Sequence, residues 1–315
     1  MSAPDPTGPI LVPLDGSEIA ERALPLAVAL ARRGGVPVEL VHVHVPIPAE
    51  PIYVEGLPVF DEHLHPRRRE HERAYLERLR ARLGAEVAAR ITLLEGPIAS
   101  SLASHARAAS AWLIVLTTHG RGGIERAWLG STADELARCS PVPLLLVRPD
   151  AAPGTLPQRI LVPLDGSATS EGILPHAVVL ARLTGSEMVL FGVVRPIEAA
   201  VWLPEGALAG TSVPQADVLR QQREAASAYL QEKAGGLAAA GLPARARVET
   251  APSVPAAVIA AAEAEKVDLI AMATHGRSGL ARLALGSVAD KVVRAGRIPV
   301  LLLRPPPIRD PPSRS

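Results

Sequence analysis

Apolar residues along the chain fall into short continuous runs that alternate with stretches where they recur at helical spacing. The first run, residues 10–14, closes on Asp-Gly-Ser, the pattern of a buried parallel strand feeding a helix. Ile19, Ala23, Leu26, Ala27 and Leu30 then lie at i, i+4, i+7, i+8 and i+11, one apolar stripe with Ser17 placed to cap it. Pro25 falls inside that helix, and Pro175 inside its counterpart, so a kink is expected at both. Residues 38–45 read as a second strand. An irregular proline-containing stretch (46–66) and a charged helix (67–83) follow, then a strand at 91–94 and a helix of small residues. A strong strand at 112–116, a glycine turn, a helix and a last strand at 142–147 end the series. The order repeats with strands at 160–164, 188–194, 247–250, 268–272 and 298–303, an irregular stretch at 196–213 and a helix at 216–237. Strands alternating with helices predict the α/β class: two repeated domains, each a mostly parallel five-stranded sheet with helices on both faces.

The repetition extends to identity. Ile10-Leu11-Val12-Pro13-Leu14-Asp15-Gly16-Ser17 returns as Ile160-Leu161-Val162-Pro163-Leu164-Asp165-Gly166-Ser167, an offset of 150. Thr118-His119-Gly120-Arg121 and Leu129-Gly130-Ser131 return as Thr274-His275-Gly276-Arg277 and Leu285-Gly286-Ser287, an offset of 156. A period this long means tandem domains rather than a solenoid, and the six extra residues of the second copy belong in a loop. The expected division is 1–149, a proline-rich linker at 150–158, 159–305, and a disordered tail at 306–315.

Composition narrows the function classes. The 315 residues carry a formal charge of +1 with dispersed basic residues and 3% aromatics, which leaves neither an electrostatic footprint nor stacking groups for nucleic acid. Arg67, Arg68 and Arg69, beside Glu70 and Glu72, read as a solvated helix start. One cysteine, no leader pattern in residues 1–10 and no apolar run near the ~18 residues of a membrane span predict a soluble cytoplasmic protein. His42 and His44 share a strand face, and His63, His65 and His71 cluster after it. Without cysteine or carboxylate at ligand spacing, no metal site is expected.

The repeated turns carry the candidate chemistry. Asp15 and Gly120 both follow strand carboxyl ends, where parallel sheets bind ligands. A glycine after a strand lets backbone N–H groups approach an anion, and a Gly-Ser pair nine residues on adds a hydroxyl and a helix dipole. No Gly-Lys-Ser/Thr follows, so this is not a Walker loop; Arg121 and Arg277 would supply charge. Two readings compete. The serines, with Asp134 and Asp290 three residues on, also resemble capping boxes, and Asp15 and Asp165 also resemble caps. The identical nine-residue gap in both copies favours the ligand site, because capping alone does not fix a loop length.

The Pro-x-Asp-Gly-Ser strand end, the Thr-His-Gly-Arg turn and the Gly-x9-Gly-Ser spacing resemble the universal stress protein family in its tandem-domain form, over residues 10–149 and 160–305. The resemblance implies ATP or AMP, with or without Mg²⁺, at the strand carboxyl ends. Gly120, Gly130, Ser131 and Thr132, and equally Gly276, Gly286, Ser287 and Val288, would meet phosphates. Pro13, Asp15, Pro163 and Asp165 would lie near the adenosine, and the backbones of Val43 and Val193 would read adenine. The family's first motif glycine is Thr117 in one half and Ala273 in the other, and the β-branched threonine is the bulkier departure. The resemblance also implies that the apolar last strands pair, docking the halves as an intrachain pseudo-dimer, with a homodimer as a further step. The function expected is an adenine-nucleotide-binding stress-response sensor or regulator and not an enzyme. The alternatives are a slow ATPase or phosphotransferase with His119 and His275 as base candidates, and an interaction scaffold with vestigial sites. Stretches 46–66 and 196–213 are placed to close over a nucleotide.

Overall fold

The computed structural model describes residues 6–46, 52–54, 57–59, 64–118, 129–149, 154–196, 215–274 and 285–304. The first half runs β1 (Ile10–Pro13), α1 (Glu18–Glu21), α2 (Leu24–Gly34), β2 (Val38–His44), β3 (Ile52–Val54), β4 (Leu57–Val59), α3 (Leu64–Leu83), β5 (Ala89–Glu95), α4 (Ile98–Ala108), β6 (Leu113–Thr117), α5 (Ser131–Cys139) and β7 (Leu144–Val147). The second runs β8 (Arg159–Pro163), α6 (Ala168–Glu171), α7 (Leu174–Thr184), β9 (Glu187–Val194), α8 (Gln215–Ala239), β10 (Ala244–Thr250), α9 (Val254–Ala264), β11 (Leu269–Ala273), α10 (Ser287–Ala295) and β12 (Val300–Leu303). The predicted strands and helices are all present. The stretch at 46–66 also contains the small antiparallel pair β3–β4; its residues 47–51, 55–56 and 60–63, like 197–214 and the tail at 306–315, lie outside the described residues.

Ten strands form one sheet in the order β10-β9-β8-β11-β12-β7-β6-β1-β2-β5. Each half contributes five strands, parallel throughout. The halves meet where β12 pairs antiparallel with β7, Leu301 opposite Leu145, so the two apolar last strands protect each other's edges. Strand alternation divides the core into two layers that both run through the junction. Val12, Leu145, Val162 and Leu301 face α2, α3, α7 and α8; Leu11, Leu144, Leu161 and Leu302 face α4, α5, α9 and α10. Among the described residues, no helix is long and apolar enough to cross a membrane.

Pro25 and Pro175 do not kink a helix. Each sits in the first turn of a new one, α2 or α7, where its missing N–H costs no hydrogen bond, and a four-residue helix precedes it. The exchange of Trp112 for Asp268 between the halves also has a local consequence. Asp268 Oδ2 accepts from the backbone N–H of Gln158 (2.9 Å) and Arg159 (3.0 Å), tying the end of the connecting segment to the start of β8.

The outer strand β10 is defended by charge. Arg245 Nε donates to Glu187 (2.7 Å), Arg245 also donates to Glu265, and Arg247 Nη1 donates to Glu265 (2.5 Å). The hydrogen bond from Arg245, reinforced by Arg247 and opposed by partial burial, pulls the Glu265 carboxyl down to about 2. A lowered folded-state value means that the carboxylate stabilises the fold above the ordinary carboxylate range and that this contribution is lost as pH falls toward 2. Glu265→Gln is therefore expected to lower unfolding free energy at neutral pH. The gap to the parent should shrink below about pH 4.5 in urea titrations. A pH-independent gap would contradict the pairing.

Candidate functional site

In both halves the first strand ends in the same small machine. Gly16 and Gly166 take positive φ (84° and 79°), which glycine adopts without strain, and turn the chain back over the strand end. Asp15 Oδ1 accepts from the Ser17 backbone N–H (2.9 Å) and hydroxyl (2.6 Å), and Ser17 Oγ in turn accepts from Ala20 N–H (3.1 Å) to cap α1. Asp165, Ser167 and Ser170 repeat this at 3.0, 2.6 and 3.1 Å. The carboxylate oxygen thus braces the turn and orients the cap. Pro13 and Pro163 close the strands just before it.

The strand order makes this position the switch point of each half. From β8 the chain first moves outward through β9 to β10, then crosses back to β11 on the other side. β1, β2, β5 and β6 do the same, and ligands of open α/β sheets sit at this crevice. Across it, the start of α10 is tied to the end of β11 by Gly286 N–H donating to Thr274 O (2.8 Å); Gly130 N–H and Thr118 O (2.6 Å) do the same for α5 and β6. Gly120, Gly276, His119, His275, Arg121 and Arg277 lie outside the described residues.

The capping-box reading of these helices does not hold. The N-caps are Gly130 and Gly286, no side chain caps either helix, and Ser131 and Ser287 are the first helical residues. Asp134 and Asp290 instead pair one turn on, with Arg138 and Arg294 (Asp290 Oδ1 to Arg294 Nε, 2.6 Å). Glycine at the cap keeps the approach to Ser131 and Thr132, and to Ser287 and Val288, clear of a capping side chain at the positive end of the helix dipole. Thr117 and Ala273, in place of the expected glycine, are the buried last residues of β6 and β11.

In the second half a cleft of about 950 Å³ opens at the carboxyl ends of β8 and β9. Asp165 and Val193 both line it, so the structure brings together the two residues expected at the adenosine end. Its outer wall is α8, through Gln222, Ala226 and Tyr229. Tyr229 donates to Glu171 Oε1 (2.7 Å), and Lys233 donates to Glu171 Oε2 (2.9 Å) with its ammonium 5.6 Å from the Tyr229 ring centre. Burial and the neighbouring carboxylate push the Tyr229 phenol well above its ordinary range. Burial alone would raise Glu171, but the bonds from Lys233 and Tyr229 outweigh it and hold the carboxyl below its usual value. Tyr75 and Glu21 form the matching pair in the first half (3.2 Å), with Arg82 in the place of the lysine. Motif reasoning missed this clamp between the outer helix and the first short helix. Its trace was the recurrence of Glu21 as Glu171 and Tyr75 as Tyr229.

The shared face predicted for His42 and His44 is real, since both rings turn onto Glu72. Among the described residues no group of three or more histidine, cysteine or acidic side chains is arranged to hold a metal ion.

Tyr229→Phe removes one hydrogen bond to a charged acceptor and is expected to cost about 1.5–3 kcal/mol, read as a lowered urea midpoint at unchanged slope. An unchanged midpoint would show that the clamp does not hold α8.

The model of the universal stress protein family matches residues 7–148 and again 157–304. A universal stress protein of Mycolicibacterium smegmatis is 27% identical over 305 residues, covering 94% of this chain and 97% of its own length. One from Thermus aquaticus is 36% identical over 142 residues, 44% of this chain and 97% of its own. Among solved structures, a universal stress protein from Archaeoglobus fulgidus superposes with a TM-score of 0.67 at 19% identity, covering 94% of this chain and 96% of that one.

Proposed function

The chain belongs to the universal stress protein family, with two copies of the domain, and from that premise we propose that it binds an adenine nucleotide and acts as a sensor or regulator. The observation that carries this reading is the cleft beyond β8 and β9, lined by Asp165 and Val193 at a switch point, with α10 starting at the neighbouring strand end. Its volume suits a ligand of nucleotide size. Backbone groups at Val193 would read the base, and Asp165 would face the sugar. Gly286, Ser287 and Val288, with Gly276, would meet the phosphates through N–H groups, a hydroxyl and the helix dipole. ATP and AMP both suit this arrangement. Mg²⁺ would accompany a triphosphate and neutralise its charge.

The role is one of binding and not turnover. The turn carries no lysine to neutralise the outer phosphates, and Asp290, engaged by Arg294, supplies no general base there. The competing reading, a slow ATPase, would need a base supplied by His275. Calorimetry with ATP and AMP tests binding, and phosphate release tests turnover. Gly286 has an ordinary φ of −56°, so its replacement probes space and not backbone strain. Gly286→Leu should weaken ATP binding by about tenfold or more in a protein that still folds, the poorer N-cap costing about 1 kcal/mol of stability. Equal affinity in the folded variant would refute the phosphate site, and release near one phosphate per second would refute the non-enzyme role.

A further inference from the structure

The two halves build the same three walls around their switch-point clefts, but with different side chains. Strand register sets Pro13 opposite Val41 and Pro163 opposite Phe191, so the next residues, His42 and Gly192, are structural equivalents, as are His44 and Val194. The Tyr75–Glu21 and Tyr229–Glu171 clamps align the outer helices, which makes Glu72 the equivalent of Ala226 and Arg68 the equivalent of Gln222. Gly192, Val194, Gln222 and Ala226 all line the open cleft of the second half. In the first half every one of these four positions carries a histidine or a charged residue.

Those residues are joined to one another across the cleft. His42 Nδ1 lies 2.7 Å from Leu14 O, a carbonyl that can only accept, so this nitrogen carries the proton. The other nitrogen of the ring lies 3.6 Å from Glu72 Oε1. Glu72 Oε2 accepts from His44 Nδ1 at 2.8 Å, and Arg68 Nη2 stands 3.8 Å from Oε1. His44, 1% exposed, also contacts His65, Nε2 to Nδ1, at 3.4 Å. The imidazole of His42 therefore spans from β2 to the end of β1 and to α3. In the second half the equivalent residues Gly192, Leu164 and Ala226 line the open cleft without a side chain bridging them, and Leu230 of α8 reaches to where a Cβ of Gly192 would lie.

We infer that the His42–Glu72–His44 network is an internal latch that closes the first-half cleft to nucleotide, so that one chain binds a single nucleotide, in the second half. The inference rests on the nucleotide-binding reading above. A base or ribose entering the first cleft would have to displace the imidazole, strip Glu72 of its partners and face a partly buried carboxylate. Bulky Thr117 at the strand end beside α5, where the second half has Ala273, adds to the same asymmetry.

Native mass spectrometry with ATP as the probe, supported by calorimetry, tests this on the full chain. The parent protein should carry one nucleotide per chain. Ala226→Glu places the acid of the latch in the open cleft and should weaken ATP binding about a hundredfold, with folding checked by circular dichroism. His42→Ala/Glu72→Ala removes the latch and should raise the count to two nucleotides per chain, the second in the opened first-half cleft. Two nucleotides on the parent chain, full retention in folded Ala226→Glu, or a folded double variant that gains no second nucleotide would each overturn the inference while leaving nucleotide binding intact. No nucleotide on the parent chain would overturn both.

Discussion

The antiparallel pairing of β7 with β12 is the contact on which the rest of the architecture depends. Each half ends in an apolar strand, Leu144–Val147 or Val300–Leu303, that would be an aggregation-prone edge if left bare. Pairing satisfies both backbones and fuses two five-stranded sheets into one of ten, with side-chain layers continuous across the junction. The pairing also reverses strand direction at the centre. The carboxyl ends of β1, β2 and β6 therefore point to one end of the sheet, and those of β8, β9 and β11 to the other. The two candidate clefts open on opposite ends of the molecule, and any communication between them must pass through the sheet or the helices packed on it.

Within each half the cleft is positioned by short polar devices at strand ends. The Asp-Gly-Ser turn couples a left-handed glycine, a braced carboxylate and a helix cap in three residues, so replacing any of them disturbs the start of the following helix. On the opposite side, a glycine N-cap bonded to the strand end sets the distance between β11 and α10 while leaving the helix start without a capping side chain. The tyrosine clamp then fixes the outer helix relative to the first short one, and with it the width of the cleft. These devices are the same in both halves. The walls they hold have diverged, with imidazoles and a carboxylate in one and small residues in the other.

Much of this was legible in the residue order. Runs of apolar residues closed by glycine, with helical stripes between them, specify strand and helix through local geometry, and the duplicated motifs mark two domains and their strand-end turns. The exceptions are instructive. Pro25 in a helical stripe reads as a kink, yet a proline placed one turn after a four-residue helix starts a new one. Ser131 and Asp134 read as a capping box, yet Gly130 takes the cap, Ser131 is already the first helical residue, and the aspartate finds Arg138 on its own helix.

Fold class, duplication, the apolar last strands and the turns at the strand ends depend on neighbours in sequence, so the chain alone determined them. What faces what across the clefts was settled only by tertiary structure. His42, Glu72 and Leu14 are distant in sequence, and nothing in their spacing shows that one imidazole bridges all three elements. Their meeting follows from strand register and from how α3 lies over β2, which are set by packing of the whole sheet. The same packing leaves the second cleft open between α8 and the ends of β8 and β9, with Leu230 filling the place a Gly192 side chain would take, because which side chains share a space is decided by how the whole backbone around them is held.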